Sequence, residues 1–212
     1  KKMITLNIPD TLLAAHRTGP VILRTADLRT LTSALQAQDT ARVAYIQIHG
    51  FAAGLHPSID SEYTGPVDVV MPDPDTAIPK LYRLADLVQT CPVRVSLTTM
   101  PGFFKTVRLA AALHCAVKLD VGQPEPSIVE ELLETLSFYL HGEGVTAPIE
   151  FFHSVFLACF HDEPVSLWDI QEKNLAAFGH ITDDGQVTLP GRLAHLSLSD
   201  VLTADGTCKA VY

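Results

Sequence analysis

The sequence predicts an α/β fold in which βα units form a parallel sheet. Apolar strand-forming segments start near residues 43, 67, 93 and 116, and each is followed by a polar or turn-forming stretch. This spacing of about 25 residues is close to the ~30 residues of a compact βαβ unit. Consecutive strands joined by helices run parallel. We therefore expect roughly four to six strands, in a parallel sheet or an open half of a TIM-like barrel.

The first part of the chain supplies two strands and a helix before the regular repeat begins. We predict strands over residues 3–7 and 21–24, and then a helix to about residue 38 with leucines at helical spacing. The next strand, residues 43–48, leads into a loop at residues 50–66. Loops of this length between a strand and a helix are uncommon and are often functional.

The central repeat continues as alternating strands and helices. We predict these elements at residues 67–71, 76–89, 93–97, 102–114, 116–121 and 128–140. Pro79 fits only the first turn of its helix, because proline lacks the backbone N–H that an interior position donates. Ser127 and Glu130 have the spacing of a capping box, which predicts the start of the last of these helices.

The character of the chain changes where HGEGVTAP interrupts the repeat. We predict a very apolar helix at residues 149–160 and a shorter helix after it. The stretch HITDDGQVTL predicts a β-hairpin, because Asp184-Gly185 supplies a tight turn between two short alternating strands. These features divide the chain into a βα-repeat body, residues 1–147, and an appendage of helical hairpin, β-hairpin and tail, residues 148–212.

Charge and hydropathy exclude some classes of partner. The formal net charge is −9, whereas nucleic-acid binding requires clustered Lys and Arg that neutralise phosphates. We therefore predict no nucleic-acid partner. No run of 18 apolar residues occurs in the sequence, which predicts no membrane span. The segment KKMITLNIPD lacks the apolar region of a secretory signal, so we expect the protein to be cytoplasmic.

The cysteines do not have the spacing of a metal site. Cys91, Cys115, Cys159 and Cys208 are far apart, and the sequence contains neither C-x-x-C nor a zinc-type Cys/His pattern. We expect the first three to be buried, inert thiols and Cys208 to be exposed. A glycine-rich phosphate loop and a G-x-S-x-G elbow are also absent from the sequence. The prediction is therefore no cofactor and no metal.

The candidates for chemistry lie at the carboxyl ends of the predicted strands, because parallel strands bring these ends to one edge of the sheet. The catalytic candidates are His49, Asp73 and Asp120. A histidine beside carboxylates can act as a general base or take part in a metal site with nitrogen and oxygen ligands. The candidates for ligand binding are His56 in the long loop, Asp75, Thr98 and Thr99.

The segment PIEFFHSVFLACFHDEPVSLWDIQEKNLAAFGHITDDGQVTL, together with the uneven βα repeat, resembles radical S-adenosylmethionine maturases. The likeness is to the back half of the barrel and the bridge to a SPASM domain, over about residues 43–190. That family holds a [4Fe–4S] cluster with C-x-x-x-C-x-x-C after its first strand, and this sequence has no cysteine there. The resemblance therefore implies a degenerate relative without a cluster, and no catalytic residue is carried across.

Three hypotheses about function remain open. The resemblance favours an accessory, non-catalytic protein of a peptide-modification system that binds a partner enzyme or peptide. The second hypothesis is an enzyme that uses His49, Asp73 and Asp120, with or without a divalent metal. The third is a small-molecule or regulatory binding domain.

Overall fold

A computed structural model describes residues 4–26, 35, 40–50, 63–161 and 178–188. Its strands are β1 (Thr5–Pro9), β2 (Val21–Thr25), β3 (Val43–Ile48), β4 (Val67–Met71), β5 (Val93–Thr98), β6 (Ala116–Asp120), β7 (Ile149–Glu150), β8 (Phe178–Ile181) and β9 (Val187–Thr188). Its α-helices are α1 (Pro74–Leu81), α2 (Ala85–Val88), α3 (Phe103–Ala112), α4 (Pro126–His141) and α5 (Phe152–His161). Short 3₁₀ helices occur at Asp10–Leu12, Thr40–Arg42 and Tyr82–Leu84.

The strands of the described residues form one open sheet in the order β7-β6-β5-β4-β3-β2-β1-β8-β9. Every neighbouring pair is parallel, except that β8 and β9 form an antiparallel hairpin. The predicted α/β fold is therefore confirmed, and the arrangement is compatible with an open, TIM-like barrel. The sheet has more strands than predicted because β7 and β8 join it.

Two predicted elements of the C-terminal part differ from the structure. Ile149–Glu150 is a strand that pairs with β6, whereas we predicted a helix from residue 149. Helix α5 begins only at Phe152, after Phe151 takes a φ of 116°. The predicted hairpin is confirmed, with Gly185 at a φ of 84° in its turn. Because β7 and β8 pair with strands of the repeat, the sheet extends across the predicted boundary at residue 147.

The predicted capping box at Ser127 is wrong. The N-cap of α4 is Glu125, which makes no side-chain cap bond, and Pro126 occupies the first turn. Proline is well suited to that position because a backbone N–H in the first turn has no partner within the helix, so its absence costs nothing.

The predicted helix at residues 76–89 is also divided. Helix α1 starts at Pro74, which places Pro79 inside it, and the regular helix ends at Leu81. A 3₁₀ turn then connects α1 to α2. Most of the predicted helix before residue 38, and the short helix predicted after residue 160, lie outside the described residues.

The helices cover one face of the sheet with a large apolar core. The strand residues of this core include Ile8, Leu23, Ile46, Val69, Val95 and Leu119, and its helix residues include Leu81, Phe103, Val107 and Leu132. Burying each aliphatic or aromatic side chain contributes about 1.5–3 kcal/mol relative to its exposure. None of the described helices is both long enough and apolar enough to cross a membrane.

Candidate functional site

Polar side chains project from the sheet face opposite the helices, which we name the polar face. Strands of parallel sheets are usually near-continuous aliphatic runs, because both of their faces are buried. In this sheet, Arg24, Gln47, Asp68 and Arg94 are paired in register on the four neighbouring strands β2 to β5. These four residues form a continuous polar row across the sheet.

Further polar residues extend this face on both sides of the polar row. Ser96, Lys118 and Glu150 are in register on β5, β6 and β7. Asn7 and His180 are in register on β1 and β8. Each strand from β1 to β8 thus contributes at least one polar side chain to the same face.

A buried ionic cluster forms the centre of the polar face. The Arg94 guanidinium donates from Nε and Nη2 to the two Asp68 carboxylate oxygens at 3.1 and 3.0 Å. Its Nη1 donates to Glu150 Oε2 at 2.9 Å, and its Cζ lies 5.2 Å from the centre of the Tyr45 ring. Asp68 and Arg94 are almost fully buried. Such charges are tolerated because each is paired and hydrogen-bonded.

Asp68 remains ionised in this buried setting. Burial alone raises the pKa of its carboxyl group, but the charge and hydrogen bonds of Arg94 act in the opposite direction. Lys118 and the Ser96 hydroxyl, which donates to Asp68 Oδ1 at 2.6 Å, lower the pKa further. The resulting pKa lies below its ordinary value, so Asp68 accepts hydrogen bonds and donates none.

The charge of Asp68 fixes the orientation of the neighbouring amides. Gln47 Nε2 donates to Asp68 Oδ2 at 2.9 Å, so Gln47 Oε1 is the acceptor for Asn7 Nδ2 and His49 Nε2, both at 3.0 Å. From the other side, Arg24 Nη1 donates to Asn7 Oδ1 at 3.1 Å. The Asp68 carboxylate at one end of this series of hydrogen bonds and the Arg24 guanidinium at the other therefore require the same orientations of the Gln47 and Asn7 amides.

This chain of hydrogen bonds also assigns the tautomer of His49. Because Gln47 Oε1 accepts from Nε2, the proton of the neutral ring is on Nε2, and Nδ1 has an unprotonated lone pair. Burial lowers the pKa of His49, the Arg24 charge lowers it further, and Asp68 opposes them. His49 is thus a neutral, half-buried imidazole at the carboxyl edge of the sheet, the edge at which the parallel strands end.

His180 takes the opposite tautomer. Its Nε2 contacts Arg24 Nη1, which can only donate, so the proton is on Nδ1 and faces Thr188 Oγ1 at 3.4 Å. Burial lowers the pKa of His180, as do the charge of Arg24 and the positive charge that His49 gains on protonation, whereas Asp183 raises it. The two histidines are therefore both neutral near pH 7 and differ in which nitrogen accepts.

The predicted candidates His49 and Asp120 lie at the same carboxyl edge, but they are not neighbours. They end β3 and β6, which are separated by three strand spacings of ~4.8 Å, about 14 Å. Asp120 is instead in register with Thr98, and the Thr99 N–H donates to the Asp120 carbonyl at 3.2 Å. Thr98, Thr99 and Asp120 thus form a separate group at this edge.

Asp73 has a structural role that accounts for its position. It is the N-cap of α1, and its Oδ1 accepts from the Asp75 N–H at 3.0 Å. Asp75 is exposed in the first turn of that helix. His56 lies outside the described residues. Within the described ranges, no three His, Cys, Asp or Glu side chains are grouped so that they could hold a metal ion.

The described cysteines lie away from these candidates. Cys91 and Cys115 are buried just before β5 and β6, at the amino edge of the sheet. Burial raises the pKa of both thiols, to about 12 for Cys115. The prediction that Cys159 is buried is wrong, because it lies on an exposed face of α5. Cys208 lies outside the described residues.

Most of the polar face was missed by reasoning from strand ends. The residues missed are Asn7, Arg24, Gln47, Asp68, Arg94, Ser96, Lys118, Glu150 and His180. The sequence does contain a signal for them, since VILRT, VDVVM, VRVSLT and AVKLD each place a polar residue at alternate positions of an aliphatic run. Such alternation in parallel strands indicates one apolar face and one polar face.

Comparisons of the chain with protein-family models, curated proteins and solved structures found no match.

Proposed function

We propose that the chain is an accessory, non-catalytic radical-SAM-like protein of a peptide-modification system, and that it binds a partner enzyme or peptide through the polar face. The observation that carries the proposal is that the buried Asp68–Arg94 pair holds in place the partly exposed groups beside it in the polar row, Gln47 and Arg24. The likeness of residues 43–190 to the maturases supports the choice of a peptide-modification system.

The chemistry of the polar face suits a peptide. An extended peptide presents backbone donors and acceptors along its whole length, at ~3.3 Å per residue. The amides of Asn7 and Gln47 are held in one orientation by their neighbours. A binding surface that is already ordered loses little side-chain entropy when a ligand binds.

The positions of the described cysteines support an accessory role. An iron–sulfur cluster requires several thiolates held together. Cys91 and Cys115 precede two different strands and Cys159 lies on α5, and none of these thiols belongs to a group of three possible metal ligands among the described residues. Cys91 and Cys115 also lie at the amino edge of the sheet, away from the edge where barrel enzymes of this architecture perform chemistry.

The test is a titration of the purified chain with a radical-SAM peptide maturase from the same organism and with the precursor peptide of that enzyme. We expect a Kd at or below roughly tens of micromolar for one of the two, measured by calorimetry. Asp120→Arg places a bulky cation at the rim of the polar face and should weaken binding about tenfold, which corresponds to about 1.4 kcal/mol.

Asp86→Arg is the matched control, because Asp86 is an exposed aspartate on α2, on the helix-covered side of the sheet. The Asp86→Arg variant should bind the partner with the affinity of the wild type. The proposal would be contradicted if neither the enzyme nor the peptide bound measurably at saturating concentration. It would also be contradicted if Asp120→Arg and Asp86→Arg changed the affinity equally.

The second candidate is an enzyme with His49 as general base, and the observation that favours it is the unprotonated Nδ1 at the carboxyl edge. A neutral imidazole near pH 7 is suited to accept a proton. Metal analysis of the purified protein separates a metal-dependent form of this candidate from the accessory role. Stoichiometric metal that is lost in His49→Ala or in Asp120→Ala would favour the enzyme.

A further inference from the structure

The β8–β9 hairpin is joined to the rest of the sheet along one strand. β8 pairs with β1 through three residue pairs, and within the described residues β9 pairs with β8 alone. One side chain of β2 reaches the hairpin at three points. Arg24 Nη1 contacts His180 Nε2, and Nη2 donates to the Ile181 carbonyl at 2.9 Å and to Asp183 Oδ1 at 3.0 Å.

The contact between Arg24 and His180 requires a neutral imidazole. A guanidinium has five N–H donors and no acceptor, so it needs a lone pair on His180 Nε2. The ring proton is then on Nδ1, toward Thr188 Oγ1 of β9. A second proton, on Nε2, would place two donors and two positive charges against each other.

The surroundings of His180 favour the neutral ring. The titratable or charged groups that act on it among the described residues are Arg24 on β2, His49 after β3 and Asp183 in the hairpin turn. Arg24 and His49 oppose a proton on the ring, whereas Asp183 favours it. The Asp183 side chain is 90% exposed, so solvent and salt screen its charge. The groups nearest on β1 and β9, Asn7 and Thr188, are neutral.

We propose that His180 is a pH-sensitive switch for the hairpin, in which the neutral ring holds β8–β9 on the sheet and the protonated ring loosens it. This inference goes beyond the proposed function and does not depend on it. Apolar contacts of Phe178 with Ile22 and Tyr45 do not change with pH. Protonation therefore loosens the hairpin without detaching it from the sheet.

The sign of the effect follows from the direction of the pKa shift. The pKa of His180 is lowered when the hairpin is docked, and a freed histidine has a pKa of about 6.5. The docked state is therefore fully favoured above about pH 6.5 and loses stability as the pH falls toward the lowered pKa. Acid thus weakens the attachment.

Amide hydrogen exchange at about pH 7.5 and about pH 5 tests the switch. After correction for intrinsic exchange rates, we expect protection of residues 178–181 to fall about tenfold at the lower pH. Protection of β4 and β5 amides should not change. His180→Gln can still accept from Arg24 without titrating, so it should remove the difference. His49→Gln, the control for the other neutral histidine, should retain it.

Equal hairpin protection at both pH values in the wild type would overturn the proposal, as would a difference that persists in His180→Gln. If that variant does not fold, the NMR titration of the His180 ring in the wild type decides. A midpoint below about 6.5 that coincides with the loss of hairpin protection supports the switch. A midpoint at or above that value, or a loss of protection at a different pH, refutes it.

Discussion

At the scale of single residues, Arg94 determines the order of the polar face. Its side chain is 1% exposed, and its guanidinium contacts the carboxylates of Asp68 and Glu150 as well as the Tyr45 ring. Because Arg94 keeps Asp68 ionised, it also fixes the amide of Gln47 and, through that amide, the tautomer of His49. One buried cation thus determines the donor and acceptor pattern of several strands.

Removal of the Asp68 charge is the direct test of this arrangement. Asp68→Asn preserves the shape of the side chain but leaves Arg94 without one of its two buried anions, and breaking a buried pair costs about 3–5 kcal/mol. We expect a loss of unfolding free energy of that order in urea denaturation. Asp86→Asn on the exposed surface of α2 should have no effect. A loss below about 1 kcal/mol for Asp68→Asn would show that the ionic cluster contributes little.

The sequence predicts which residues lie at the strand ends and misses the charged residues inside the strands for a physical reason. His49 and Asp120 were found because strand ends are recognisable from turn-forming residues. Asp68 and Arg94 were missed because a charged residue inside an aliphatic run is stabilised by partners that are remote in sequence. Only the pairing of β4, β5 and β7 shows that these charges are compensated.

At the scale of elements, helix starts depend on contacts between helices. The N-terminus of α3 lies at Gly102, which takes a φ of 89° and makes no side-chain cap bond. Glu131 of α4 performs this role, since its carboxylate accepts from the N–H groups of Gly102 and Phe104 at 2.6 and 3.2 Å. An anion at a helix N-terminus is stabilised by the exposed N–H groups and by the helix dipole.

Glu131→Ala should therefore destabilise α3 although the substitution is made in α4. Loss of a cap costs about 0.5–2 kcal/mol, and we expect a decrease of that size in the unfolding free energy. Amides of residues 103–106 should lose exchange protection before those of α4. Glu134→Ala, an exposed position one turn further along α4, is the control. Unchanged protection of α3 in Glu131→Ala would contradict the capping role.

Elements defined by residues close together in sequence were predicted accurately, whereas elements that depend on distant contacts were not. The bounds of β3 and β4 match the predicted residues 43–48 and 67–71, because aliphatic runs flanked by polar residues define them locally. β7 was predicted as helix, since a two-residue strand exists only through pairing with β6. Helix α4 starts at Pro126 because of proline geometry, despite the capping-box spacing of Ser127 and Glu130.

At the scale of the whole molecule, the polar face makes stability depend on pH. Burial and Arg24 lower the pKa values of both His49 and His180. The unfolded chain, with ordinary histidine pKa values near 6.5, therefore binds more protons than the folded protein as the pH falls below that value. The ionised Asp68 does not contribute in this range, because its lowered pKa lies below an ordinary value of 3.8.

We expect the urea midpoint of the wild type to fall between about pH 7.5 and about pH 5. The fall should be smaller in His49→Gln and in His180→Gln, and smallest in the double variant. His114→Gln, which replaces an exposed histidine on the connection before β6, should behave as the wild type. A midpoint independent of pH, or an equal dependence in all variants, would contradict the assignment of two neutral histidines.

The pairing of β1 with β8 has a consequence for synthesis of the chain. It joins residues 5–7 to residues 178–180, so one flank of β1 lacks this neighbour until residue 180 has left the ribosome. An unpaired strand edge invites contact with other nascent polypeptides, and such distant pairings form slowly. Chaperone dependence during translation is therefore expected to end only after residue 181 has emerged.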